Sequence, residues 1–317
     1  MKNRDVSVVV PAYNGECFIK ETLESISNQS CPPKEIIVVD DCSIDSTRTV
    51  VRDFGASQPY PVRLIALQRN SGGPANPMNI GIAAAESKYI AVLDHDDLYC
   101  TNHLESALIA MERHPDADLV CGNYIDIDSS GAELLGTASN DVYAYLNDLE
   151  QYDECGIMRC FGDGWLKEFF YAPGAQRSCS NHFFRKEAWD RIGGYRESAR
   201  FASDYDFVLR IFGSGILWLQ ELQFKKRTHS SNTWRTSPDL EKQLSDLQCE
   251  LTKQLGNPSM VQWNRDALKD RIRRMRWKSE YRISRELCLR LIRSGDPLSG
   301  CIEFSKSLLG DYFRLSR

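Results

Sequence analysis

The chain has 317 residues, of which 42% are hydrophobic and 26% charged, with a net charge of −5. That composition supplies enough apolar surface for a core and excludes a largely disordered chain. A membrane-spanning chain is excluded too, because no apolar run approaches the roughly 18–20 residues that a spanning helix needs. The first apolar run, Val6 to Val10, is too short for an export signal and reads as a strand.

Strands and helices alternate through the first half. Val6 to Val10 is followed by the turn Pro11-Ala12-Tyr13-Asn14-Gly15, and a helix is expected over Phe18 to Asn28 from the spacing of Ile19, Leu23 and Ile26. Glu35 to Val39 predicts a second strand ending in Asp40-Asp41, and Ser43 to Phe54 a second helix. Val62 to Gln68, Tyr89 to Leu93 and Ala117 to Cys121 predict further strands, with helices over Met78 to Glu86 and Leu104 to His114. Such alternation implies a parallel sheet covered by helices. Ligands bind beyond the carboxyl ends of such strands, so Pro11 to Asn14, Asp40-Asp41 and Asp94 to Asp97 should converge on one crevice.

The alternation fails from Leu134 to Gln176, where Trp165, Phe169, Phe170 and Tyr171 form either a ligand-stacking wall or a secondary core. Cys179 to Phe184 reads as a strand and Ala202 to Phe212 as a helix. After about residue 235 two amphipathic helices are expected, one along Leu240, Leu244, Leu247, Leu251 and Leu255, the other from about Val261 to Ser294. The second is basic, with eleven Lys/Arg against four Asp/Glu over residues 265–293, which leaves −12 on the first 264 residues. An acidic body is not a nucleic-acid-binding profile. The basic helix suits either an anionic membrane surface or packing on the body or on a second copy, as a homo-oligomer. Eleven cysteines, an odd number without a Cys-x-x-Cys pair, suggest reduced thiols in a cytoplasmic compartment.

Three carboxylates in Asp94-His95-Asp96-Asp97 repel one another unless a cation sits among them, and carboxylates suit Mg²⁺ or Mn²⁺. The alternative is a polar turn capping the next helix. Asp40-Asp41 likewise serves either a base and ribose or a helix cap. His103 and His114 read as surface helix residues, and His182 as facing an acceptor.

Taken together, VSVVVPAYNGECFIKETLESISNQ, IIVVDDCSIDST, NSGGPANPMNIGIAAAESKYIAVLDHDD, GGYRESARFASDYDFVLRI and KRTHSSNTW resemble the inverting family 2 glycosyltransferases of the GT-A fold. The resemblance spans about residues 5–235. It implies a GT-A catalytic domain over 1–235, Rossmann-like and mostly parallel, with a helical C-terminal region over 236–317 for packing, oligomerisation or membrane association. It also implies transfer of a sugar with inversion from a nucleotide-sugar, a UDP-sugar above all, to a hydroxyl of a glycan or lipid-linked acceptor. The setting implied is surface polysaccharide biosynthesis, in the cytoplasm or at the inner face of the plasma membrane. Residue by residue, Pro11, Tyr13 and Asn14 match the segment that cradles the base, and Asp41 the base-binding acid, followed by Ser43 and Asp45. Asn70 and Gly72 match the loop under base and ribose. Asp94 and Asp96 match the Asp-x-Asp motif, with Asp96 on the metal. His229 matches a residue reaching metal or diphosphate, and Asp204 the catalytic base. Trp165 and His182 are the candidate acceptor residues.

The chain departs from the family pattern at Ser203, where the family often has Glu, at Met78, where an Arg is usual, and at Cys42, where Gly is usual. Met78 would remove a cation near the donor. Two rival readings remain. A nucleotidyltransferase should carry a basic, Gly-rich triphosphate loop, and residues 11–15 have neither Lys nor Arg. A non-catalytic sugar-binding protein on the same fold should lack the base or the metal acids, and both are present.

Overall fold

The computed structural model describes residues 5–134, 152–160, 178–198, 203–211, 215–230 and 232. The chain divides into two units, Met1–Ser237 and Pro238–Arg317, and the described residues all fall in the first. Trp165 and its neighbouring aromatics, the two C-terminal helices and the basic stretch 265–293 lie outside the described residues.

Strand β1 (Val6–Ala12) is buried along its whole length, as a β-branched run must be when helices cover both faces of a sheet. It pairs in parallel with β2 (Glu35–Asp40) on one side and β4 (Tyr89–Val92) on the other, and β2 pairs in parallel with β3 (Val62–Ala66). Between them run α1 (Ile19–Ser27), α2 (Thr47–Gly55) and α3 (Ala75–Ala84). The expected doubly covered α/β block is therefore present, and the carboxyl ends of β1, β2 and β4 lie side by side.

The two faces of β1 bury different partners. Val8 and Val10 join Leu23 and Ile26 of α1, Ile36 and Val38, and Leu104, Ala107 and Met111 in one apolar cluster. On the other face α3 lies so close that a Cβ on Gly81 would stand 2.4 Å from Val9 Cγ1 and 3.1 Å from Val39 Cγ2. Only glycine lets the helix approach the sheet at this point. Met78, one turn earlier on the same helix, is fully buried. Its side chain fills core space and presents nothing to a donor.

The second half departs from the alternation. A two-residue strand β5 (Leu98–Tyr99), α4 (His103–Arg113) and β6 (Leu119–Ile127) follow β4. Then come β7 (Ile157–Cys160), a single 3₁₀ turn (Cys179–Asn181), β8 (Phe183–Arg185), α5 (Lys186–Ile192), α6 (Ser203–Ile211) and β9 (Ile216–Arg227). The strand expected over Cys179 to Phe184 is thus half turn and half strand. Among the described residues the sheet has nine strands in the order β3-β2-β1-β4-β8-β6-β9-β5, with β7 also on β9. β8 is antiparallel to both β4 and β6, while β6 and β9 run parallel.

The twelve-residue β9, unforeseen in the sequence, carries the site. Its buried start, Ile216 to Leu219, lies against β7 and β6, and its end reaches β5 and so returns beside Asp97. Among the described residues no helix is long and apolar enough to cross a membrane. His103, expected on the surface, is buried and donates through Nδ1 to Gln223 Oε1 at 3.1 Å, with Tyr99 stacked on its ring.

Candidate active site

The loops after β1 and β2 are stitched to each other. The Asn14 N–H donates to Ser43 Oγ at 2.9 Å, the Ile44 N–H to Asn14 Oδ1 at 3.0 Å, and the Gly15 N–H to Thr47 Oγ1 at 2.8 Å. Asp45 accepts from the N–H groups of Glu16 and Thr47. Partial burial pushes the Asp45 carboxyl up, but these bonds and the Thr47 hydroxyl outweigh it and hold it below its ordinary value. Ser43 and Asp45 therefore tie the two loops together. Pro11 is buried within β1, whereas Tyr13 stands 45% exposed at the strand's end, the placement a base-stacking ring requires. Cys42, like Asn14, has a positive φ (66°), the left-handed region where Gly costs least. The family's usual glycine thus has a backbone reason here.

Asp41 is buried, and its carboxylate accepts the Ser71 N–H at 2.9 and 3.1 Å and the Ser71 hydroxyl at 2.9 Å. Asn70 donates to the Asp41 carbonyl at 3.1 Å and accepts the Gly72 N–H at 2.9 Å. The structure thus brings Asp41, Asn70 and Gly72 together. Asp40 beneath them is fully buried and takes Arg48 Nε at 2.6 Å.

The acid cluster follows β4. Asp94 accepts Ser178 Oγ at 3.0 Å, and its N–H donates to Ser180 Oγ at 3.0 Å. Asp97 is buried under three donors, Ser180 Oγ at 2.7 Å, Ser178 Oγ at 3.2 Å and the Arg227 N–H at 2.8 Å. Burial, then the charge of Asp96, raises the carboxyls of Asp94 and Asp97. Asp96 goes the other way. Burial pushes it up, but the hydrogen bond from His229 and the nearby His95 and His229 charges bring it below its ordinary value. Asp96 is thus the acid of this cluster whose carboxyl lies below its ordinary value.

His229 comes from just past the end of β9. Its Nε2 lies 2.9 Å from Asp96 Oδ2, and its ring packs at a tilt on Phe18, with centroids 4.6 Å apart. Asn232 donates to the same Asp96 oxygen at 3.0 Å. The Asp96 carboxylate and the His229 imidazole, hydrogen-bonded to each other, are by type donors that a divalent cation takes. Among the described residues no group of three or more His, Cys, Asp or Glu stands ready for a metal. Water and a diphosphate would complete the coordination.

The remaining expected residue, Asp204, lies in the first turn of α6, where a helix N-terminus favours an anion. Burial, and then the charges of Asp94 and Asp204 together, raise the Cys179 thiol, and both charges also reach the Tyr195 hydroxyl. Both acids thus border the same buried pair. α6 is anchored by Asp206, which takes Arg196 at 3.0 Å and Arg210 at 2.5 Å, while Arg210 also donates to the carbonyls of Ile192 and Gly194 at 2.7 Å each. Gly194 has φ 74°, and a Cβ there would stand 2.8 Å from Asn79 Oδ1. Asn79 brackets the Tyr195 backbone, accepting its N–H at 2.8 Å and donating to its carbonyl at 2.7 Å. The glycine pair and the acid pair of the sequence are therefore one folded unit.

His182 is a correction. It is fully buried, with Nδ1 2.8 Å from the Tyr195 hydroxyl and its ring stacked on Phe207 at 5.3 Å, so it faces no acceptor. Burial lowers its pKa to about 3. A base that folds neutral contributes stability in full above its unfolded pKa of about 6.5 and loses it as pH falls toward the folded value. The difference in unfolding free energy between the native protein and His182→Gln should therefore shrink below about pH 6.5, by up to about 1.4 kcal/mol per pH unit. Denaturant melts at several pH values check this, and a constant difference between pH 6.5 and 5 would refute it.

Sequence reasoning missed Arg227, Asn232, Ser178 and Ser180. Arg227 is 1% exposed. It donates to the carbonyls of Asp96 and Ser129 at 2.9 and 3.1 Å and to Glu21 Oε2 at 2.7 Å, and it lies 4.8 Å over the Phe18 ring. Its position two residues before His229 was the only available signal.

Comparison with known proteins completes the picture. Residues 7–167 match the family model described as glycosyl transferase family 2. An uncharacterized glycosyltransferase of Rickettsia prowazekii is 27% identical over 257 residues, covering 81% of this chain and 74% of that protein. The poly(ribitol-phosphate) beta-N-acetylglucosaminyltransferase TarS of Staphylococcus aureus is 36% identical over 110 residues, 34% of this chain and 19% of TarS. The crystal structure of TarS 1–349 in complex with UDP-GlcNAc is similar in fold, with a TM-score of 0.64 at 17% identity, covering 96% of this chain and 92% of that one. A longer TarS chain is matched over 48% of its length. The mannosyltransferase PcManGT from Pyrobaculum calidifontis, in complex with GDP-Man and Mn²⁺, has a TM-score of 0.60 at 16% identity, covering 88% and 72%.

Proposed function

The chain belongs to glycosyl transferase family 2, and from that premise we propose that it transfers a sugar from a UDP-sugar, with inversion, to a hydroxyl of a glycan or lipid-linked acceptor of a surface polysaccharide. The observation that carries this reading is the meeting of Asp96 and His229, 133 residues apart. The UDP-GlcNAc in the TarS complex and the poly(ribitol-phosphate) in its name support the donor and acceptor classes.

The acceptor oxygen attacks the anomeric carbon, the bond to the diphosphate breaks, and the diphosphate leaves with the electron pair. Asp204 takes the acceptor's proton as its oxygen attacks. One displacement from the opposite face inverts the anomeric centre. Asp96 and His229, with Asp94, would hold the divalent cation, Mn²⁺ or Mg²⁺. The cation, when bound, offsets charge on the departing diphosphate. Tyr13 stacks on the base, and Asp41, Asn70 and Gly72 shape the loop beneath it. Residues 265–293 would bring the enzyme to the cytoplasmic membrane face or to a second copy.

The test is a thermal-shift panel of UDP, GDP, CDP and dTDP with and without Mn²⁺, run beside Asp96→Ala. Ligand at about 100 times its Kd stabilises the folded state by about 2.7 kcal/mol. UDP should raise the melting temperature only with Mn²⁺, and Asp96→Ala should abolish the rise. A response to GDP alone would overturn the UDP assignment. No response to any diphosphate would overturn the catalytic reading.

A further inference from the structure

Residues 194–196 form the seat of α6. The Gly194 carbonyl accepts Arg210 Nη2 at 2.7 Å. The Tyr195 ring stacks on Phe207, with centroids 4.2 Å and planes 12° apart. Arg196 Nη1 pairs with Asp206 Oδ1 at 3.0 Å. Three successive residues thus hold the helix whose first turn carries Asp204. Asn79 of α3 holds the middle one in turn. Its Nδ2 donates to the Tyr195 carbonyl at 2.7 Å, and its Oδ1 accepts the Tyr195 N–H at 2.8 Å. The side chain therefore satisfies both backbone groups of one residue, as a neighbouring strand would. Tyr195 is 1% exposed, so both bonds are sheltered. Gly194 lets the amide come close, because a Cβ there would stand 2.8 Å from Asn79 Oδ1. α3 itself follows directly on the loop whose Ser71 is bound by Asp41.

We infer that Asn79 is a positioning residue for the reaction: through the Tyr195 backbone it sets α6, and with it Asp204, in place. The inference rests on the reading of Asp204 as the base. A base works only when its oxygen meets the acceptor's proton at hydrogen-bond length. A misplacement of about 1 Å can cost about 10²-fold in rate. Few side chains could replace this one, because the place needs a donor and an acceptor side by side. Alanine makes neither bond. A carboxylate keeps the bond from the Tyr195 N–H but turns a second oxygen on the Tyr195 carbonyl.

The test follows UDP release by the full chain, with UDP-GlcNAc as donor and poly(ribitol-phosphate) as acceptor. The native protein is compared with Asn79→Ala, Asn79→Asp, Asp204→Asn and the two double variants. Asn79→Ala and Asn79→Asp should each lower kcat by at least about 10-fold, with the donor KM within about threefold of native. In the Asp204→Asn background either change should lower kcat by less than about threefold, because the base it acts through is already gone. An amide that only stabilises the fold predicts a lower melting temperature and the same factor in kcat with or without the base. Asn79→Ala at a kcat within about threefold of native, or an equal factor lost in both backgrounds, would overturn the inference. If Asn79→Ala does not fold, Asn79→Asp decides alone. If Asp204→Asn keeps a kcat within about threefold of native, the base reading falls and the inference with it. If Asp204→Asn loses more and Asn79→Ala does not, only the inference falls. Where this substrate pair gives no turnover, amide hydrogen exchange decides. Residues 203–211 should then exchange at least about 10-fold faster in Asn79→Ala than in the native protein, with Val6–Ala12 unchanged. Equal exchange over 203–211 would show that Asn79 does not set α6.

Discussion

Asp204→Asn should lower kcat by about 10²–10⁴, the contribution of a positioned general base, while leaving the UDP–Mn²⁺ thermal shift unchanged. Asn has the same shape, and α6, which carries it in its first turn, is anchored by the Asp206–Arg210 pair. The fold and donor site should therefore survive. The loss should fall on kcat and kcat/KM equally, as expected when an interaction made only in the transition state is removed. The acid limb of the pH–rate profile should vanish with it. Steady-state kinetics with a glycan acceptor check this. A kcat within threefold of native would remove Asp204 from the mechanism, and an equal loss of UDP binding would make it a donor residue.

Arg227→Met should cost about 1–3 kcal/mol of folding stability. Arg227 ties together α1 through Glu21, the turn at Asp96 and the segment at 128–129, and it is 1% exposed. Methionine fills the space but leaves the Asp96 carbonyl without its donor, worth about 1–3 kcal/mol when buried and unpaired, while Ser129 is exposed and water replaces its bond. Glu21 is 56% exposed, and water takes over its side of the pair at little cost. Urea melts should show a lower midpoint at an unchanged slope. Arg227→Lys should recover only part of the loss, since one ammonium cannot span several acceptors in a fixed fork. UDP–Mn²⁺ affinity should fall with stability, because the Asp96 main chain loses its anchor. A loss below about 1 kcal/mol would show that the guanidinium is dispensable.

The alternation of short β-branched runs with amphipathic helices was enough to place β1 to β4 and α1 to α4 to within a few residues, because each of those signals is local. A buried strand needs an apolar run, and a covering helix needs an apolar stripe. The same logic put Tyr13, Asp41, Asn70 and Asp96 at strand ends, since a parallel sheet gathers its carboxyl ends on one side. β9 was missed because Ile216 to Leu219 is only a short apolar run before the polar Gln220-Glu221. Its length comes from pairing with β5, β6 and β7, partners the sequence does not name. His103 and His182 were misplaced for a related reason, because a histidine's burial depends on which residues pack around it. Stacked rings and the Gln223 and Tyr195 partners place these two in the core, and burial holds them neutral there.

The sequence by itself determined the α/β alternation, the family and the identity of the acids at the strand ends, because those rest on local periodicity and on ordered motifs. Only the tertiary structure decided which acids are equivalent. Asp94 and Asp97 are held by serines 81 to 86 residues away and raised by burial, whereas Asp96 meets His229 and Asn232 and keeps its charge. Adjacent carboxylates have the same chemistry in the chain. Burial and the donors that distant segments bring to each one make them different.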